Sequence, residues 1–554
     1  MKGKGNPSGK LADTFARELS DYPSTETFHD SQSFVAYYED IYVGYRYFET
    51  IPGKKERVVY PFGYGLSYTT FAVEKPAVTF RDNEICVSTE VTNTGDRAGK
   101  EVIQVYYSAS QGKLGKPAKE LAGYQKTREL KPGESQKIYI RFDRDQMASY
   151  DDLGKVHKSA WILEKGTYFF FAGTSVREAV QAEESLTLSE NIVTEQLSPR
   201  LVPTSLRKRM LSDGSYEELP LSEPNDPDEN IFEPFPKGSD LYMCPAEKAR
   251  PSRNILIPSD KPQLLDVADG KLSLDEFIKL LSDQELAELL GGQPNKGVSN
   301  TFGMGNITEY GVPTILTGDG PAGLRIEKRC GVTTTAWPCA TLLACTWNPE
   351  ITGAIGVAAG EEVKENNINV WLAPAVNIHR SPLCGRNFEY YSEDPYLTGK
   401  QAASLVRGVQ SNHVGTSVKH FALNNKETNR KDSDSRASER AIREIYLKAF
   451  EIIIKEAEPW TVMSSYNIIN GHRASENREL LTGILRDEWG YEGMVTTDWW
   501  TYGEHYKEVK AGNDLKMGAG YPDRLLKAME AGVLTREEME RSGKRILGVI
   551  LKAD

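Results

Sequence analysis

Five short apolar runs recur through the second half of the chain, at Thr314–Leu316, Val370–Ala373, Ser417–Val418, Thr461–Met463 and Met494–Val495, separated by segments of helical spacing. Alternating buried strands and helices commit a chain to a largely parallel sheet covered by helices, which removes most other fold classes at once. No glycine-rich phosphate fingerprint follows any of these strands, so a (β/α)8 TIM-type barrel is expected rather than an open doubly wound sheet. The intervening helices are readable as well. Ile442, Ile445, Tyr446, Ala449, Phe450 and Ile453 share one apolar face, with Arg443, Glu444, Lys448 and Glu451 off it. Ser273/Glu276 and Ser282/Glu285 are spaced as capping boxes that open the helical region.

The first half follows a different period. Ile85–Thr92, Val102–Tyr107 and Gln136–Phe142 alternate apolar and polar residues and are separated by turn residues at Asn93–Asp96 and Pro132-Gly133, the pattern of a small all-β sandwich. From about 182 to 270 the periodicity fades into a stretch with Pro220, Pro224, Pro227, Pro234, Pro236 and an acidic run, which reads as a long linker. At 554 residues the chain is too long for one core, so a multidomain protein is expected.

Composition narrows the class of function. A formal net charge of -12 disfavours nucleic-acid binding and suits a neutral substrate. Residues 1–30 lack an apolar stretch behind their lysines and no run is long enough to cross a bilayer, so no membrane partner and a cytoplasmic location are expected. The six cysteines, Cys86, Cys244, Cys330, Cys339, Cys345 and Cys384, form no CxxC pair. His379, Glu389, Asp394, His413 and His420 lie within one stretch but without metal-ligand spacing, and no GxSxG elbow is present, so neither a metal nor a cofactor nor a serine nucleophile is expected.

The residues that end the strands carry the chemistry. If the strands are barrel staves, their C-terminal ends share one rim, and that rim holds the active sites of barrel enzymes. In order, it receives Asp319 and Arg325, then Asn377 and Arg386, then Lys419 and His420, then Tyr466, and finally Asp498 with Trp499. Charged planar groups suit the hydroxyls of a polyol, and indole rings suit the C–H faces of a sugar. Each group has a structural explanation when taken singly: Asp498 as a helix cap, Asp319 with Arg325 as a structural pair, His420 as a satisfied core histidine. Five strand ends carrying such groups together argue for a site.

Read in order, Asp319-Gly-Pro-Ala-Gly-Leu-Arg325, Gly385-Arg386-Asn-Phe-Glu389 with Ser392-Glu-Asp-Pro395, Lys419-His420-Phe421, Met463-Ser-Ser-Tyr466-Asn and Thr497-Asp498-Trp499 resemble the motifs of the N-terminal barrel of glycoside hydrolase family 3. The resemblance implies that Asp498 is the nucleophile. It further implies that Asp319, Arg325, Arg386, Lys419, His420 and Tyr466 hold the terminal sugar, with Met463 and Trp499 lining its subsite. Ala422-Leu-Asn-Asn-Lys-Glu427 follows the Lys-His-Phe where bacterial N-acetylglucosaminidases of the family have a glycine- and histidine-rich loop, so the β-glucosidase branch fits better. Asn377 stands where many members carry Asp.

Asn6-Pro-Ser-Gly-Lys-Leu11, Tyr42-Val-Gly-Tyr-Arg46 and Pro61–Tyr68 resemble the end of the family's α/β sandwich domain, and the β-sandwich that follows resembles its fibronectin type III-like domain. In most members both follow the barrel. Here they precede it, an order resembling the permuted β-glucosidases of some gut and rumen bacteria. The expected layout is therefore a sandwich remnant at 1–75, a fibronectin III-like domain at 76–181, a linker at 182–270 and the catalytic barrel at 271–554.

The implied activity is retaining hydrolysis of terminal non-reducing β-D-glucosyl residues from β-glucosides or cello-oligosaccharides. In such members the general acid/base is a glutamate upstream of the Asn-Pro-Ser-Gly-Lys-Leu segment, and no residue of this sequence is assigned to that role. The chain thus reads as N-terminally shortened, with impaired proton donation. A non-catalytic glycan-binding protein or fragment and, within the class, a β-xylosidase are the alternatives. Two protein partners stay open: a second copy of the chain, or a separate chain supplying the sandwich.

Overall fold

The computed structural model describes residues 5–223, 230–233, 260–294 and 298–553. The central part of the expected linker, including Pro224, Pro227, Pro234, Pro236 and Cys244, lies outside the described residues.

The C-terminal half is built on one six-stranded sheet: β1 (Gly303–Ile307), β2 (Val312–Gly318), β3 (Val370–Trp371), β4 (Gly415–Phe421), β5 (Thr461–Ser464) and β6 (Met494–Thr497), hydrogen-bonded in that order. All five apolar runs expected as strands are present. β2 to β6 pair in parallel. β1 pairs antiparallel with β2, because only the turn Thr308–Tyr310 and Gly311, with φ +65°, join them, too short a connection for a parallel crossover. Isolated bridges then run from β6 through Thr496–Leu515 and Lys516–Gly291 to Gln293–Gly303 on β1. Every residue of β4 is buried, as expected of a strand covered on both faces.

Both capping boxes form, with Ser273 Oγ accepting from Glu276 N and Ser282 Oγ accepting from Glu285 N. The helical stretch from Glu439 to Ala457 buries its expected apolar face but contains a π-turn at Ile442–Tyr446. Arg443, expected on the solvent side, is buried instead, because Tyr150 and Glu488 pack over that side of the helix; its guanidinium lies 4.7 Å from the centre of the Tyr150 ring and pairs with Glu439 at 2.9 Å and Glu488 at 2.7 Å.

In the first half, two antiparallel four-stranded sheets form the β-sandwich, one containing Glu84–Asn93 and Ser135–Asp143, the other Val102–Ala109 and Gly166–Gly173. The sandwich continues beyond 181. Val180–Leu188 pairs with Gly166–Gly173, and Ile192–Gln196 pairs with Ala160–Leu163. A further hairpin, Lys208–Met210 with Tyr216–Glu218, is anchored by buried Arg209 on Asp152 and Glu217, each at 2.8 Å. The expected linker therefore does not start at 182. These strands escape pattern reading because they bury few residues: Val180–Leu188 has one buried position, Ala182.

Residues 5–75 share their core with both neighbours. Tyr37, Tyr45 and Phe62 belong to the same apolar cluster as Tyr106 and Leu121 of the sandwich and Trp347, Phe421 and Tyr446 of the C-terminal half. The strand Phe34–Ala36 adds in parallel to Asp434–Arg436, so this segment is stitched to the loops beyond β4 by main-chain hydrogen bonds.

Candidate active site

Asp498 follows β6 directly. Its N–H donates to Ser464 O at 3.1 Å across the β5–β6 pair, and its Oδ1 accepts from Trp499 N at 2.7 Å. The carboxyl is therefore held by strand pairing, and it caps no helix. It is 8% exposed. Burial raises Asp498 above the usual carboxylate range, opposed by the positive charges of Arg386 and Lys419, by the hydrogen bond from Trp499 N–H and by the neighbouring Tyr466 hydroxyl.

His420 Nε2 lies 3.7 Å from Asp498 Oδ2, beyond hydrogen-bond range. Burial, together with the cations Arg386, Lys419 and Arg430, pushes the imidazole well below its ordinary value, so it is neutral. Asn377 fixes its backbone from both sides, donating to His420 O at 2.9 Å and accepting from His420 N at 2.9 Å. Yet His420 Nδ1 is buried without a hydrogen-bond partner among the described residues, as is Trp499 Nε1.

The second group forms around Asp319, which follows β2. Lys419 Nζ donates to its Oδ1 at 2.8 Å and Arg325 Nη1 to its Oδ2 at 2.9 Å. Burial alone would raise Asp319, but Lys419, the Gly320 N–H and Arg325 outweigh it and hold the carboxyl at about 2. Lys419 is buried, whereas the Arg325 side chain is 62% exposed, so Lys419 carries most of this pairing. Arg386 sits in the loop after β3, ion-paired with Glu389. Tyr466 donates to Trp499 O at 2.7 Å, and the Arg430 guanidinium lies 4.7 Å from the centre of its ring. Met463, buried in β5, pairs with Thr496 one residue before the rim.

The structure thus brings Asp319, Arg325 and Lys419 together, and Asp498, His420, Tyr466 and Trp499 together, with Lys419 and Arg386 acting electrostatically on Asp498. Several contributors were not singled out from sequence. Arg430 pairs with Glu427 at 2.9 Å, and Lys431 donates to Trp500 O at 2.8 Å, both from the polar run after β4. Trp500 packs edge-on against Phe302, ring centres 5.4 Å apart, and a Cβ at Gly518 would meet its ring at 2.7 Å. For Arg430 and Lys431 the density of charged residues between Lys426 and Arg436 is the available signal, and for Trp500 its place directly after Asp498-Trp499.

Residues 299–549 match the model of the glycosyl hydrolase family 3 N terminal domain, and 101–176 match a fibronectin type III-like domain. A β-glucosidase A from Butyrivibrio fibrisolvens is 60% identical over 98% of this chain and 68% of its own length. The chain belongs to glycoside hydrolase family 3. A β-glucosidase from Ruminococcus albus is 40% identical over 100% of this chain and 58% of its own. The crystal structure of a β-glucosidase from Paenibacillus barengoltzii superposes with a TM-score of 0.89 at 40% identity, covering 100% of this chain and 62% of that one. This family 3 chain accordingly spans about three-fifths to two-thirds of the length of these relatives.

Proposed function

We propose that this chain binds the terminal β-D-glucosyl residue of β-glucosides or cello-oligosaccharides, and that Asp498 attacks its anomeric carbon in a retaining reaction. One observation carries the reading: the buried Asp498 carboxyl ends a strand with the neutral His420 ring 3.7 Å from it and the cations Arg386 and Lys419 acting on it. A buried carboxyl among cations and a neutral imidazole at a strand end suits a hydroxyl-rich substrate. Asp319, Lys419 and Arg386 supply charged hydrogen bonds to the ring hydroxyls, His420 and Tyr466 flank the attacked carbon, and Trp499 and Met463 line the apolar face. Arg325 acts from the outer edge.

The same reading takes the sheet as a closed (β/α)8 barrel within 271–554, with β1 reversed. The bridges Thr496–Leu515, Lys516–Gly291 and Gln293–Gly303 support it, since they lead from β6 back to β1.

Retention requires a second carboxyl about 5 Å from the first to protonate the leaving oxygen. Asp319, Glu389 and Glu427 are each committed to an ion pair, so none is assigned that role. The test uses a dinitrophenyl β-glucoside, whose leaving group needs little protonation. A burst of dinitrophenolate that disappears in Asp498→Ala is expected. Absence of a burst from correctly folded protein removes Asp498 as nucleophile.

A further inference from the structure

The loop that carries Arg386 is gripped from the side by the N-terminal segment. His379, at the start of this loop, engages both ring nitrogens: Nδ1 lies 2.8 Å from Asp13 Oδ1, and Nε2 lies 2.8 Å from the main-chain carbonyl of Asn387, the residue next to Arg386. A carbonyl oxygen only accepts, so Nε2 must donate. Asp13 Oδ1 already accepts from Glu393 N at 3.0 Å, and as a carboxylate it too accepts from Nδ1. An imidazole that donates at both nitrogens is an imidazolium, and this one is a buried cation whose counter-ion comes from the other end of the chain.

The surrounding contacts repeat the pattern. Ser392 Oγ donates to Ala12 O at 2.6 Å, and Glu393 accepts from Thr14 N at 2.8 Å, Thr14 Oγ1 at 2.7 Å and Tyr45 N at 2.8 Å. Arg380, beside His379, is paired with buried Glu39 at 3.0 Å. The Arg386 loop is therefore closed at both ends by carboxylates or main-chain groups of residues 12–45.

We propose that Asp13 and His379 form a positioning pair for Arg386, so that recognition of the terminal sugar depends on a charge contact with the N-terminal segment. This inference rests on the glycone-site reading above. His379 touches no reacting atom; it acts through the Asn387 carbonyl and the turn that follows Arg386.

The titratable groups facing the ring are Asp13, from the N-terminal segment, and Glu393, from the far end of the loop; Cys345 faces Asp13 in turn. Burial lowers His379, but Asp13, the Asn387 carbonyl and Glu393 outweigh it and raise the imidazole above its ordinary value of about 6.5. A raised histidine contributes fully below that ordinary value, and its contribution is lost as pH climbs through the folded-state value. Burial and Asp13 also push Glu393 up to about 8, with the same sign, so the two must be separated by mutation.

The experiment is glucose binding to the full chain, by calorimetry, between about pH 6 and about pH 9. Wild type is expected to bind more weakly at the alkaline end, and Glu393→Gln, which removes a charge that helps raise His379, to keep that loss with its midpoint moved to lower pH. Asp13→Asn and His379→Gln are each expected to weaken binding by roughly 10- to 100-fold at the acid end and to flatten the profile, with the double variant no worse than either single one and Asp13→Glu recovering part of the loss. If His379→Gln lowers the melting temperature but binds glucose with the wild-type affinity and profile, the pair is merely structural and the proposal is overturned. If wild type and Asp319→Ala bind glucose equally or not at all, the glycone-site reading has failed instead. Amide exchange then decides the pair without sugar: Asp13→Asn must speed exchange at residues 385–389 by roughly tenfold while β4 and β5 stay protected, and unchanged exchange there refutes it.

Discussion

The two walls of the candidate sugar site are made differently. Asp319, Lys419, His420 and Asp498 sit within or directly after β2, β4 and β6, where main-chain ladders set their positions. Arg386 sits in a loop well past β3, a strand of only two residues, and that loop is fastened by Asp13, Thr14, Glu39 and Tyr45. A strand end is rigid because neighbouring strands hold it. A loop is as rigid as the groups that clamp it, so the second wall inherits its geometry from a distant part of the sequence.

The contrast can be broken or sharpened in graded steps. The largest effect is expected from Asp498→Ala, which removes the strand-held nucleophile: turnover of a dinitrophenyl β-glucoside should fall on the order of 10⁴-fold or more, while glucose binding and the melting temperature change far less. Retained turnover would move the nucleophile elsewhere. Next is Lys419→Met, which strips a buried cation from Asp319; a loss of about 3–5 kcal/mol shared between stability and glucose affinity is expected, measured by denaturant melts and calorimetry.

Acid sensitivity of the strand wall comes third. Asp319 is held at about 2, below its unfolded value of 3.8, so its contribution is complete above about pH 4 and is lost as pH falls through 2. That contribution is about 2 kcal/mol, and Asp319→Asn should lose it at neutral pH and show a flatter stability curve over that acid window. The smallest effect is reserved for Arg325→Ala. Its partner is the same carboxylate, but the guanidinium is largely in solvent, so stability should change by less than about 1 kcal/mol. An Arg325 effect as large as that of Lys419 would show that burial does not govern this wall.

The strand wall was legible in the sequence because short apolar runs followed at once by charged or aromatic residues are a local signal; Asp498 and Lys419 lie next to the residues that define their strands. The clamps on the loop wall were not legible. Asp13 and His379 are separated by most of the chain, and nothing near either residue marks the other as its partner. For His379 the sequence argues against metal ligation and favours a solvated or hydrogen-bonding role without naming a partner; the structure supplies Asp13. Arg443 shows the same limit on a smaller scale: the helical period places it off the apolar face, and it is buried by Tyr150 and Glu488, which only packing brings over it. The strands Val180–Leu188 and Ile192–Gln196 carry almost no alternation, because the first buries one residue and the second none.

By itself, then, the sequence determined the alternation of strand and helix, the capping of the helices, and the identity and order of the charged groups at the strand ends, because each depends on residues within a few positions of one another. Only the tertiary structure decided which of those groups are buried, that His420 and Trp499 keep unpartnered nitrogens, and that the Arg386 loop is held by the N-terminal segment. Burial and long-range charge pairing depend on which surfaces meet, and that is settled by packing across the whole chain.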